Sequence, residues 1–199
     1  MTNPNTSATG GYLSELPAPV PLTGPALNKL LQVMVATITG LDLTLVRPRW
    51  QPMPANQPQA STNWCGIGVT DNDPDDNAAI LHQPDGRDVL LRHERLVVRA
   101  SFYGPDCNDL GCQLRDGLYV AQNREALQLA NIGFTDAKGP TRVAEAVNNQ
   151  WIDRCDITIT LSRQIVRAYP IFNLASFVGE LEGEEGDRLY VKPLDVSQE

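Results

Sequence analysis

Histidine is nearly absent from this sequence: His82 and His93 are the only two in 199 residues. They fall on the two arms of a predicted hairpin. With Asp85 or Glu94 they would make a metal-dependent hydrolase imaginable, against the plainer reading of two surface histidines. The four cysteines (Cys65, Cys107, Cys112 and Cys155) fit no metal-ligand spacing and read as reduced, partly buried thiols. There is no P-loop, no dinucleotide fingerprint and no G-x-S-x-G elbow, so no catalytic residues, metal or cofactor are expected, nor an enzyme. No window approaches eighteen uncharged apolar residues, so no membrane span is expected. The start, MTNPNTSATGGY, has neither the basic residues nor the apolar run of a secretory leader, so synthesis in the cytoplasm is expected. Positive charge is also scarce. Sixteen Lys and Arg face twenty-four Asp and Glu, giving a net charge of −8, the opposite of a nucleic-acid-binding face.

What is present is a hydrophobic fraction of 42%, enough for a core, in a chain the length of one domain with added arms. Residues 1–24, rich in Thr, Asn, Pro and Gly, read as an extended arm. In GPALNKLLQVMVATITG, Leu27, Leu30, Leu31, Met34, Val35 and Ile38 recur at helical spacing between Pro25 and Gly40. In LDLTLVRPRW, Leu41, Leu43 and Leu45 alternate with Asp42, Thr44 and Val46 as a half-buried strand. In NWCGIGVT, Cys65, Ile67 and Val69 share one face, and Trp64, Gly66 and Gly68 the other. DNDPDD reads as a solvated turn. AILHQ and DVLLRHERLVVRASFYG pair through the PDG turn at Pro84 to Gly86. GPDCNDLGCQLRDGL is a second helix whose Gly111 and Gly117 imply close packing, and NREALQLANIG is a third, with Asn123 as its cap. VAEAVNN suggests a helical turn, and WIDRCDITITLSRQIVRAYP is a strand. Residues 179–199, with Glu180, Glu182, Glu184, Glu185 and Asp187 among glycines, read as an acidic C-terminal tail. The expected fold class is α+β: a largely antiparallel or mixed β-sheet with helices packed on one face, formed by a single domain over residues 25–178.

One stretch resists this plain reading. Between the strands lies a proline-rich arm, residues 48–62, in which Pro48, Pro52, Pro54 and Pro58 forbid a central strand. Trp50 and Trp64 flank it, with Arg47 and Arg49 bunched beside Trp50. The tryptophans either cap the core at the sheet edge or anchor an interface. Tryptophan and arginine are the usual anchors of protein–protein contacts, and a stiff arm loses little entropy on docking. Arg47, Arg49, Trp50, Pro52, Pro54 and Trp64 are therefore the candidate contact residues with another subunit or a partner protein.

VRPRWQPMPANQP, TNWCGIGVT, RHERLVVRASFYGP, LRDGLYVAQNREALQL, WIDRCDITITL and AYPIFNLAS occur in an order that resembles the neck/tail terminator proteins of tailed bacteriophages, over residues 11–178. The resemblance implies a structural virion protein assembled in the host cytoplasm into a ring, usually a homohexamer, at the neck/tail junction. Such a ring terminates the tail tube and joins tail to head. It implies as partners other copies of the chain, the tail tube protein and a neck or connector protein, while genomic DNA passes through the lumen unbound. Another head–tail joining ring, such as a connector stopper, is the nearest alternative, and a small monomeric binding module a more distant one.

Overall fold

The structure, a computed structural model, describes residues 5–17, 21–51, 56–83, 86–147, 150–172, 176–185 and 188–197. The chain forms two compact units. The larger holds Pro19–Ala79 and Leu91–Val166; the smaller holds Met1–Ala18, Ile80–Leu90 and Arg167–Glu199.

The larger unit opens with helix α1 (Gly24–Thr39). Its apolar stripe buries Leu27, Leu31, Met34 and Val35, and Pro25 occupies the first turn, where a missing N–H costs nothing. Gly40 ends the helix at φ +73°, its N–H bonded to the Ala36 carbonyl, a left-handed stop that glycine takes without strain. Strands β1 (Val46–Pro48) and β2 (Trp64–Pro74) follow, then β4 (Arg87–Tyr103) after a short β3 (Ala79–Gln83). Helices α2 (Cys107–Gly117) and α3 (Glu125–Leu129) precede the long strands β5 (Ile132–Val147) and β6 (Gln150–Tyr169). The sheet order is β1-β2-β4-β6-β5. β1 runs parallel to β2; β2–β4 and β5–β6 are antiparallel, so the fold is α+β with a mixed sheet.

Alternation decides which sheet face is dry. Cys65 and Ile67, Val98, Ala100 and Phe102, and Cys155, Ile157, Ile159 and Leu161 all join one core with α1, α2 and α3. Each fully buried Leu, Ile or Phe there contributes about 1.5–3 kcal/mol. Gly111 lets α2 lie on the sheet: a Cβ there would stand 3.3 Å from Ile157 Cδ1. Gly117 serves a helix contact instead, since its Cβ would come within 2.5 Å of Ile38 Cγ2.

Four local expectations are corrected. The strand expected in LDLTLVRPRW begins later: Leu43–Leu45 form a 3-10 turn, and only Val46–Pro48 form β1. Asp42 accepts from the Thr44 N–H at 2.8 Å and the Thr44 hydroxyl at 2.6 Å, a local bond that competes with ladder pairing. Asp71–Pro74, expected in a turn, instead extend β2 opposite Val97–Glu94 beyond a bulge between Val69 and Asp71. VAEAVNN is not helical: its described residues belong to β5, which pairs with β6 as far as Val147. The AKGP sequence hid this strand, because Gly139 and Pro140 lie at a bulge of an edge strand, where proline is tolerated. Asn123 does not cap the third helix; it sits in the 3-10 turn Ala121–Arg124, and its amide donates to the Gly117 carbonyl at 2.9 Å, closing the C-terminus of α2.

In the smaller unit, β3 pairs with β4, and Gly86 stands at φ +77°. Pro84 and Asp85 of the expected turn lie outside the described residues. The N-terminal segment is tied to the end of β6: Ser7 N–H donates to the Pro170 carbonyl, Leu16 N–H to the Ala168 carbonyl, and Glu15 pairs with Arg167. The acidic C-terminal stretch forms a two-stranded antiparallel ladder, β7 (Ser176–Glu185) with β8 (Arg188–Ser197). Asp187 lies outside the described residues.

The parallel pairing of β1 and β2 gives the proline-rich arm a structural reason. Parallel neighbours cannot be joined by a hairpin; the chain must return along the strand, which takes a dozen or more residues. Residues 49–63 are that return.

Candidate functional site

The face of the larger unit's sheet that points away from the helices carries a transverse row of side chains. Arg47 on β1 places its guanidinium carbon 5.8 Å from the centre of the Trp64 ring on β2. Trp64 stacks on Tyr103 of β4, directly opposite in register, with ring centres 4.1 Å apart and planes 6° from parallel. On the other side of Tyr103, Arg154 of β6 stands 5.7 Å from its centre. Cation, indole, phenol and cation thus span four adjacent strands, and each contact is attractive: the arginines against the negative ring faces, the rings by dispersion.

Arg154 is held by carboxylates on both sides. It bonds to Asp156 through Nε and Nη2, each at 2.9 Å, and to Glu145 of β5 at 2.9 Å. Burial alone would lower its pKa, but the bonds to Asp156 and Glu145 outweigh that, so the guanidinium stays charged. Burial raises the Tyr103 pKa, partly opposed by Arg154, so the phenol stays neutral.

Beside this row lies an open groove of about 350 Å³, lined by Arg47, Arg49, Gln57, Trp64, Ser101 and Tyr103 among others. Its wall is the start of the proline-rich arm. Arg49 N–H donates to the Ile67 carbonyl at 2.7 Å, carrying the chain one residue past β1 beside β2. The Arg49 guanidinium reaches Ser101 Oγ at 2.8 Å, and Trp50 donates its indole N–H to the Val69 carbonyl at 3.0 Å. Gly68 permits this approach: a Cβ there would stand 3.0 Å from Arg49 Cβ and 3.6 Å from Trp50 Cδ1. Gly66 and Gly68 are both buried; Arg49 and Trp50 cover Gly68, whereas the neighbour of Gly66 is the Trp64 ring, 3.7 Å from where its Cβ would stand.

The candidate contact residues are therefore partly brought together. Arg47, Arg49 and Trp64 line one groove, and Trp50 lies just beyond, 66% exposed. Pro52 and Pro54 lie outside the described residues. Sequence reasoning missed Ser101, Tyr103, Arg154 and Glu145. Alternation places Ser101 with Tyr103 and Arg154 with Asp156, but only strand order shows that they adjoin Trp64.

The described members of the imagined metal site have other partners. His82 Nδ1 lies 2.8 Å from the buried Asp88 carboxylate, Glu94 pairs with Arg163, and Asp85 lies outside the described residues. Among the described residues no group of three or more His, Cys, Asp or Glu could hold a metal ion, and no helix is long and apolar enough to cross a membrane.

The sequence model of a family described as phage neck terminator protein matches residues 26–186, most of the chain and all of the groove. The chain belongs to this neck terminator family. No curated protein matches it. A neck terminator is a structural component of the phage virion, so the arginine–aromatic row belongs to a protein whose neighbours are other phage neck and tail proteins.

Proposed function

We propose that this neck terminator assembles in the host cytoplasm into a ring, of six copies in the form the family resemblance implies, that ends tail-tube growth and joins the tail to the head connector. The family match over residues 26–186 carries this reading. The role is structural rather than catalytic. Its partners are further copies of the chain, the tail tube protein and a neck or connector protein, and genomic DNA passes through the lumen without specific contact. Arg47, Arg49, Trp50, Pro52, Pro54 and Trp64 form the contact surface toward a neighbouring subunit. A groove floored by stacked aromatic rings and rimmed by arginines has the composition of a contact hot spot.

The test is the native mass of the purified protein, alone and with its tail-tube protein, with electron microscopy of the tubes. Closed rings, or rings only on tube ends, are the expected result. A protein that stays monomeric and leaves tube length unchanged would remove the terminator reading. Rings that bind the head connector but ignore tubes would assign the chain to the connector–stopper role instead.

A further inference from the structure

We propose that the Arg47–Arg49 groove receives the acidic strand β7 of a second copy of this chain. This deepens the ring reading and rests on it.

Arg47 lies in β1, and Arg49, one residue past its end, still bonds beside β2, so the two hold alternate chain positions, a backbone repeat of about 6.8 Å in a strand. Both are positioned, yet among the described residues neither is neutralised. Arg47 donates to the Asn56 carbonyl at 2.7 Å and Arg49 to the Ser101 hydroxyl. Among the described residues neither meets a carboxylate, whereas Arg95, Arg115, Arg154, Arg163 and Arg167 each do. The Arg49 Nε is buried without an acceptor. A buried donor without a partner is costly, and two ordered cations beside an aromatic floor form a receptor for a pair of carboxylates.

The chain itself carries the complementary element. Glu180, Glu182 and Glu184 hold alternate positions of β7, in register with Pro193, Val191 and Leu189 of β8. Their repeat along the chain is the same two-residue one, so the acidic residues of β7 recur at the interval of the arginines. Receptor and ligand are different surfaces, as a contact repeated around a ring requires.

The contact is made through side chains rather than by adding a strand, because the edge of β1 is closed. Pro48 has no N–H to offer. The Val46 carbonyl is taken by the Gln32 amide at 2.6 Å, and the Pro48 carbonyl by the Gln51 amide at 2.8 Å.

The experiment uses the full chain with a photo-reactive phenylalanine analogue in place of Gln57, on the groove wall. Equal amounts of ¹⁴N- and ¹⁵N-labelled protein are mixed at assembly concentration, weighed by native mass spectrometry, irradiated and digested. Association with a mixed-isotope adduct to residues 176–185 is expected. Association with an adduct elsewhere, or one confined to a single isotope, overturns this docking and leaves the ring reading standing. Absence of association in every condition overturns both. Charge exchange supplies an independent arm: Arg47→Glu with Arg49→Glu should weaken association about tenfold or more, and adding Glu180→Arg with Glu182→Arg should restore it. Failure of the exchange to restore association, in variants whose unfolding is unchanged, also overturns the docking.

Discussion

Trp64 and Arg154 hold the outer sheet face by different physics. Trp64 contributes buried ring area and stacking on Tyr103; an aromatic pair adds about 0.5–1.5 kcal/mol beyond the area it buries. Trp64→Ala should therefore cost about 2–3 kcal/mol, less than a fully buried aromatic would, and Trp64→Phe should recover more than half, as read from urea unfolding. Equal losses in both variants would mean that the indole edge, not the stack, carries the effect. Arg154 contributes charge. Arg154→Met leaves Glu145 and Asp156 without their cation, a loss near the lower end of about 3–5 kcal/mol because Glu145 is one-third exposed. Replacing the carboxylates as well, with Glu145→Gln and Asp156→Asn, should return part of that loss. A triple variant no more stable than Arg154→Met would show that packing rather than charge was removed.

At the scale of elements, α2 is shaped by what it leans on. Alanine is a better helix former than glycine by about 1 kcal/mol, so helix propensity alone predicts that Gly117→Ala stabilises. Its Cβ would fall 2.5 Å from Ile38 on α1, so a net destabilisation is expected, seen as a lower melting temperature. Relief by Ile38→Ala in the same chain, with none from Ile38→Val, which keeps both γ carbons, would locate the collision. Elements that carry their own periodicity were legible in the sequence: α1, β2, β4 and β6 all fall where the apolar spacing puts them. Elements decided by distant partners were not. The Thr141–Val147 half of β5 has a helix-friendly composition, and only pairing with β6 makes it a strand. Asn123 likewise reads as a helix start because its bond to Gly117 is not local to the helix it precedes. The β1 and β2 part of the candidate groove was legible, because arginine and tryptophan cluster there in sequence. The rest was hidden on β4, β5 and β6, because Tyr103, Glu145 and Arg154 meet Trp64 only across the sheet.

For the whole molecule, the sulfur-bearing core contributes to the alkaline limit. Burial pushes the Cys107 thiol up from 9.0 to about 12, with the Cys155 thiol 3.2 Å away adding to the shift; burial pushes Cys65 up as well. A group that holds its proton more tightly when folded contributes stability that is complete below its unfolded pKa and lost as pH rises through the folded one. Urea midpoints should thus hold to about pH 9 and fall toward pH 12, and Cys107→Ala should flatten part of that fall. A variant with the same slope would remove Cys107 from the account. Charge acts at the same scale. With −8 per subunit, the proposed ring would have an acidic bore that repels a DNA duplex, unless arginines and lysines are gathered on its inner wall. Purified rings should show no salt-sensitive DNA binding; retention of duplex at low salt, released by added salt, would contradict an acidic bore.

The connection over residues 49–63 also separates length from composition. Because it returns the chain between parallel neighbours, shortening it strains β1 itself, while lengthening it adds only a slowly growing closure entropy, about 0.6 kcal/mol for each doubling. Removing residues 52–58 would test whether the sheet survives before it could report on assembly. Insertions there, by contrast, should be tolerated, so this segment can gain residues far more readily than it can lose them.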